Sequence, residues 1–145
     1  MSKDFNHLVD KLQECVIKDA SKIYSEQVIK QFTHPQNVGR MNDPDGAATI
    51  KGPCGDTVEI YLIIKNDEIT ESLFFTDGCG ATIACGSITT RLAKGKTINE
   101  VLKISPADII EELGGLPGEN LHCAILTVNT LHKAVADYLL KKSNS

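Results

Sequence analysis

The sequence predicts an α+β fold, a small antiparallel sheet of about three strands packed against several helices. Three observations carry that expectation. Helical periodicity occupies both ends of the chain while strand alternation is confined to its middle, the order of an α+β rather than a βαβ protein. Two alternating segments flank an Asn-Asp pair, the signature of a tight hairpin. A length of 145 residues suits one domain with its own core.

The elements follow in order. Residues 4–19 read as an amphipathic helix, with Phe5, Leu8, Val9, Leu12, Cys15 and Val16 on one face. A second helix runs from the N-cap Ser25 to Phe32. His34-Pro35 stops it, because a residue before proline avoids the helical region. Residues 35–46 are loop, rich in Pro, Asn, Asp and Gly. Residues 47–51 form a weak strand. Residues 57–65 form a strong one, with Val58, Ile60, Leu62 and Ile64 alternating against Thr57, Glu59 and Tyr61. After Asn66-Asp67 the return strand covers 69–76 and ends at Gly78.

Helical pattern resumes from Gly80 to about Ala93. Thr97-Ile98-Asn99-Glu100 is a capping box, and Ser105-Pro106-Ala107-Asp108 opens another helix with Ser as N-cap and Pro at its first position. Gly114-Gly115 closes that helix. The last helix spans 121–140, with Leu121, Ala124, Ile125, Val128, Leu131, Val135 and Leu139 as its core-facing stripe, and residues 141–145 fray.

Composition excludes several function classes. Fifteen Lys and Arg against nineteen Asp and Glu give a net charge of −4, unlike the basic surface of a nucleic-acid binder. Aromatic residues make up only 5% and Trp is absent, leaving few stacking platforms for single strands. No apolar run approaches the ~18 residues of a membrane span, and the N-terminal residues carry no apolar signal core, so a cytoplasmic protein is expected.

Five cysteines remain, an odd number and below the density of a disulfide scaffold: Cys15, Cys54, Cys79, Cys85 and Cys123. Pairing outward from a two-residue turn at Asn66-Asp67 sets Thr57 opposite Thr76 and Cys54 opposite Cys79, with Asp56 at the same end of the sheet. Gly52-Pro53-Cys54-Gly55-Asp56 is a tight glycine-flanked loop suited to approach by an ion. Cys79 precedes a helix N-terminus, whose partial positive charge favours thiolate. His122 and Cys123 open the last helix, where Cys123 faces away from the apolar stripe and is also expected to be thiolate. Cys54, Asp56, Cys79, His122 and Cys123 are thus candidates for one metal-binding site. The bland alternatives are ordinary thiols, a turn-capping Asp56 and a His122 bonded to backbone. Cys15 and Cys85 read as packing cysteines, His132 as a satisfied core-edge histidine, and His7 and His34 as solvent-facing. Residues 114–118 are turn chemistry and lack the Lys-Ser/Thr of a phosphate loop.

From Tyr24 to Tyr138 the chain resembles the scaffold proteins of iron–sulfur cluster assembly, the family of IscU and the N-terminal part of NifU. The motifs are Tyr-Ser-Glu-Gln-Val-Ile (24–29), His-Pro-Gln-Asn-Val-Gly (34–39), Pro-Cys-Gly-Asp (53–56), Asp-Gly-Cys-Gly (77–80), Gly-Lys-Thr (95–97) and Leu-His-Cys (121–123). The resemblance implies an IscU/NifU-like domain over 23–145; residues 1–22, read as an N-terminal helical extension that includes Cys15, reach beyond the family's usual start. It implies Cys54, Cys79 and Cys123 as cluster cysteines, Asp56 as acidic partner, and His122 as an optional fourth ligand. It implies a scaffold or carrier, not a catalyst. On it an iron–sulfur cluster, 2Fe–2S by expectation, is built from iron and sulfur delivered by a cysteine desulfurase, then passed to carriers or apo-acceptors. A homodimer is compatible with this reading. Cys123 is the expected sulfur acceptor.

Two departures stand out. The family's Leu-Pro-Pro-Val-Lys chaperone-docking motif is here Leu116-Pro117-Gly118-Glu119-Asn120, which counts against docking of an Hsp70-type chaperone by the usual contact. Cys85 stands where the family often has a small residue, a place for an auxiliary thiol. Soft thiolates with one harder donor suit a loosely held, exposed cluster, and the same set accepts tetrahedral zinc. The alternative is therefore a zinc-stabilised binding or regulatory module of the same fold. A thiol redox enzyme fits poorly, because Cys79 and Cys85 are six residues apart.

Overall fold

The computed structural model describes residues 24–53 and 55–143. The expected helix over 4–19, Cys15, His7 and Cys54 lie outside the described residues. In chain order the elements are α1 (Glu26–Thr33), β1 (Gly46–Lys51), β2 (Thr57–Lys65), β3 (Glu68–Thr76), α2 (Gly80–Ala93), α3 (Ile98–Val101), α4 (Pro106–Glu112), a 3-10 turn (Gly118–Asn120) and α5 (Leu121–Ser143). The strands form an antiparallel meander in the order β1-β2-β3, and the α+β class holds. No helix among the described residues is long and apolar enough to cross a membrane.

The hairpin turn is as expected: Asn66 and Asp67 both take positive φ, 54° and 60°, the primed geometry whose twist matches the flanking strands. Along β2, Val58, Ile60, Leu62 and Ile64 point inward and their neighbours outward. The register differs from the expectation. Lys65 pairs with Glu68 and Ile64 with Ile69, but Ile63 pairs with Glu71 and Val58, not Thr57, with Thr76. Thr70 is an extra residue on β3, a bulge, and its hydroxyl donates to Ile63 O at 3.2 Å. Every pairing toward the far end of the hairpin therefore slips by one residue.

One face of the sheet is covered by α5, lying on β1 and β2, and by α2, lying on β3. Helix α2 is buried almost all round, because α1 packs on its other side and α5 beside it. Small residues make that position feasible. A Cβ on Gly86 would stand 2.5 Å from the Phe74 ring, and one on Gly46 2.4 Å from Ala134 O of α5. Four buried threonine hydroxyls find partners within the helices: Thr90 donates to Gly86 O (2.8 Å), Thr127 to Ala124 O (3.2 Å), Thr130 to Leu126 O (2.7 Å), and Thr89 to the Thr127 hydroxyl (3.1 Å).

The segment after α1 does more than connect. Asn37, at φ 63°, turns the chain so that Phe74 N donates to Asn37 O and Gly39 N to Phe74 O, pairing Val38 with the free edge of β3. Gln36 N donates to Ser87 Oγ (2.9 Å), which itself donates to the buried Gln31 Oε1 (2.6 Å). The loop thus clips α1, α2 and the sheet edge together.

Both expected caps of the short helices are present as reciprocal capping boxes, Thr97 with Glu100 and Ser105 with Asp108, and Gly114 and Gly115 end α4 at positive φ. Helix α5 departs from the expectation twice. It continues to Ser143 instead of fraying after 140, held by Lys141–Asp137 (3.1 Å) and Lys142–Asp67 (2.9 Å) ion pairs. Its buried face is also rotated: Leu121, Ile125 and Leu139 are 40%, 48% and 41% exposed, while Cys123, Leu126, Thr127, Thr130 and Ala134 are buried with Ala124, Val128, Leu131 and Val135. The helix contacts the sheet, α2 and α4 together, so its inner arc extends beyond a single apolar stripe and takes in threonines.

The Gly86–Phe74 contact yields a test. Gly86→Ala should destabilise the domain by about 1–3 kcal/mol through overpacking, and Phe74→Leu in the same chain should restore part of the loss. Denaturant midpoints of the single and double variants measure this; a Gly86→Ala chain as stable as wild type would contradict the packing.

Candidate functional site

The turn entering β2 and the turn leaving β3 meet at one end of the sheet, where α2 and α5 both begin. In the first, Gly52 N donates to Asp56 O (2.7 Å) and Gly55 N to Gly52 O (3.0 Å), with Gly55 at φ 90°. Gly52 packs so closely on α5 that a Cβ there would stand 2.9 Å from Leu126 Cδ2. In the second, the Thr76 hydroxyl donates to Thr57 O (2.6 Å) and accepts from Gly78 N (3.0 Å), while Asp77 Oδ1 accepts from Thr57 N (2.8 Å). These bonds join the two turns across β2.

Cys79 is the N-cap of α2 and makes no side-chain capping bond; it is exposed. Its thiol lies 3.7 Å from the Thr82 hydroxyl. That hydroxyl is 3.1 Å from Asp56 Oδ2 and 3.4 Å from Cys123 Sγ, and Cys123 Sγ is 3.7 Å from His122 Nε2. Four of the five expected site residues, Asp56, Cys79, His122 and Cys123, are therefore linked through hydrogen-bond contacts, and the fifth, Cys54, lies outside the described residues. Among the described residues no three His, Cys, Asp or Glu side chains form a metal-holding group as they stand. The Thr82 side chain stands between the donors. Two thiols, a carboxylate and an imidazole are chemically a fit for iron or zinc.

Cys123 differs from its expected setting. It is fully buried, not turned away from the core, because the inner arc of α5 includes it. Burial pushes its thiol above the ordinary value; hydrogen bonds from Thr82 and Asn120 act in the opposite direction, and the neighbouring Cys79 and Asp56 charges add to the rise. Its place at the start of α5 does not leave it an open helix end, since the 3-10 turn runs directly into that helix and Leu121 N already bonds Gly118 O. The expected thiolate at Cys123 is thus not favoured in this state.

Cys85 is buried in the core, as expected for a packing cysteine, and burial raises its thiol pKa strongly, with Cys123 and Cys79 adding to it. His34 is exposed, and His132 Nε2 bonds Val101 O at 3.2 Å at the core edge, both as expected.

Three residues at the site escaped the sequence reading. Thr82 was hidden among apolar helix positions. Asn120 hydrogen-bonds the Cys123 thiol through its side chain, and its Oδ1 is buried without a partner among the described residues. Tyr24 borders the cysteines: burial raises its pKa, followed by the charges of Cys79, Glu119 and Cys123. Its ring meets Phe32 edge-on at 6.5 Å, and Gly80 lets Phe32 approach the start of α2. Only the position of the tyrosine, just ahead of the Ser25 cap, signalled it.

Exposure separates the thiols. Limiting iodoacetamide under native conditions should label Cys79 well before Cys123, with Cys85 labelled last, as peptide mass spectrometry over time would record. Early labelling of Cys85 would contradict its burial.

Comparison with known proteins agrees with this architecture. The NifU-like N terminal domain family matches residues 23–145. Over 120 residues the chain is 44% identical to an iron–sulfur cluster assembly scaffold protein IscU of Archaeoglobus fulgidus, covering 82% of this chain and 78% of that one. It is 42% identical to the IscU scaffold of Aquifex aeolicus over 122 residues (82% and 78%) and 38% identical to that of Escherichia coli K12 over 124 residues (82% and 96%). Among solved structures, the fold is similar to a NifU-like protein (N-terminal) from Brucella abortus, with a TM-score of 0.66 at 20% identity, covering 82% of this chain and 96% of that one. A scaffold protein for the SUF system from Fervidobacterium islandicum gives 0.63 at 21% identity (79% and 97%). With a family match over all the described residues and relatives near 40% identity, this chain belongs to the IscU/NifU-like family.

Proposed function

We propose that this chain is a non-catalytic scaffold on which an iron–sulfur cluster of the 2Fe–2S type is assembled and from which it is handed to acceptor proteins. The observation that carries the reading is the meeting of Cys79, Cys123 and Asp56 around one hydroxyl, beside His122 and at the end of the sheet where the Pro53–Asp56 turn begins β2. The names of relatives near 40% identity support the same assignment. The zinc-stabilised module is the weaker reading, since those relatives are named as scaffolds.

In this proposal the cluster is cargo. Cys54, Cys79 and Cys123 supply thiolates, and Asp56 or His122 supplies the harder donor that keeps the cargo releasable. Sulfur comes from a cysteine desulfurase as persulfide, and carriers or apo-acceptors take the finished cluster. Cys123 is the proposed sulfur acceptor. Because Cys123 is buried, the packing around it has to yield before a donor loop reaches it. Residues 23–145 form the scaffold domain, residues 1–22 an extension to it, and the place is the cytoplasm.

Two experiments test this. Anaerobic reconstitution with iron and sulfide should give the visible charge-transfer bands and labile sulfide of a cluster. Cys54→Ser, Cys79→Ser and Cys123→Ser should each remove the bands, Cys15→Ser should leave them unchanged, and Asp56→Ala should still load. A chain that reconstitutes normally without Cys79 would sink the ligand assignment. Separately, incubation with a cysteine desulfurase and cysteine, followed by mass spectrometry, should place the extra sulfur on Cys123. Sulfur accumulating on Cys54 or Cys85 would reassign the acceptor.

A further inference from the structure

Thr82 lies in the first turn of α2, is completely buried, and uses its hydroxyl unlike the other buried threonines of the core. Thr90, Thr127 and Thr130 donate to carbonyls of their own helices, and Thr89 to a neighbouring threonine. The Thr82 hydroxyl turns instead to three side chains: Asp56 Oδ2 at 3.1 Å, Cys123 Sγ at 3.4 Å and Cys79 Sγ at 3.7 Å. They come from three separate parts of the chain: the turn before β2, the cap of α2 and the start of α5.

The seat of this side chain is fixed by its surroundings. A Cβ on Gly78 would stand 2.8 Å from Thr82 Cβ and 2.9 Å from both Cγ2 and Oγ1. The glycine of Asp77-Gly78-Cys79 is therefore required by Thr82, not only by the turn. A β-branched side chain has few rotamers in a helix, and the backbone of Gly78 lies against both of its γ atoms. The hydroxyl carries one proton and two lone pairs. It can donate to Asp56 or to Cys123 while accepting from a thiol, so it links the carboxylate to both sulfurs without itself being a soft ligand.

We propose that Thr82 is a positioning residue of the assembly site: its hydroxyl holds Asp56, Cys79 and Cys123 to a common point and sets their spacing for the arriving metal. This rests on the reading of the site as the place where the cluster is built. Hydrogen-bond partners that orient metal ligands typically account for about 10–100-fold in affinity.

The test uses the full chain and Zn(II) alone as the probe, titrated against a chromophoric chelator, with iron–sulfur reconstitution and thermal melting run in parallel. Thr82→Val keeps the shape and removes the hydroxyl; it should weaken Zn(II) binding by about 10–100-fold. Thr82→Ser, which retains the hydroxyl, should bind close to wild type. In an Asp56→Ala background, Thr82→Val should have a much smaller effect, a coupling that a merely structural role would not produce. Thr82→Ala replaces the valine variant if the latter does not fold. Wild-type affinity in Thr82→Val, failure of Thr82→Ser to bind, or an undiminished effect in the Asp56→Ala background would each overturn the role of Thr82 while leaving the site standing. A wild type that takes up neither zinc nor a cluster would instead overturn the reading of the site, and the role of Thr82 with it.

Discussion

Burial of α2 on nearly every side is the constraint on which the rest of the molecule depends. A helix enclosed by a sheet, α1 and α5 can present only small or fully satisfied groups, and its middle reads Ala-Cys-Gly-Ser-Ile-Thr-Thr (84–90). Gly86 admits the Phe74 ring of β3, Ser87 anchors the loop that follows α1, and Thr89 meets Thr127 of α5. Each neighbour is therefore set against the same helix by a short, specific contact. Displacing the axis of α2 would leave buried hydroxyls unpaired, at about 1–3 kcal/mol each.

That arrangement also determines where chemistry can occur. The N-terminus of the enclosed helix emerges where the two turns of the sheet meet, so Cys79 is exposed while Thr82, one turn further in, is not. Cys123 approaches from α5 at the buried side of the same point. The result is a graded arrangement, with one thiol at the surface, one beneath it, and a carboxylate that shares a hydroxyl with both. Such a gradient suits the proposed role of a scaffold that accepts components and then releases the product. Burial raises the pKa of the inner thiol, which disfavours the thiolate form that a metal requires.

Local rules made much of the molecule legible. Capping boxes at Thr97 and Ser105, the primed Asn66-Asp67 turn, the glycines closing α4 and the alternation along β2 each follow from interactions within a few residues. The proximity of Asp56, Cys79, His122 and Cys123 was legible too, because their residue types are rare and their motifs ordered. The bulge at Thr70 was not: a single extra residue leaves alternation almost intact on either side while shifting every later pair. The face of α5 was misread for a related reason. Periodicity locates an apolar stripe, but a helix packed against several partners buries an arc that includes threonine and cysteine.

By itself, the sequence determined the class of fold, the order and caps of its elements, and the residue types from which a soft-metal site can be made. Those properties rest on short-range sterics, on hydrogen bonds between near neighbours and on side-chain chemistry. Tertiary structure alone decided that Thr82 lies within contact of Asp56, Cys79 and Cys123, that Asn120 and Tyr24 border these residues, and that Cys123 is buried while Cys79 is exposed. The physical reason is that hydroxyl–thiol and hydroxyl–carboxylate contacts join residues 26 and 41 positions apart. No periodicity along the chain encodes a contact of that range; only the packing of α2 against its neighbours brings the groups within bonding distance.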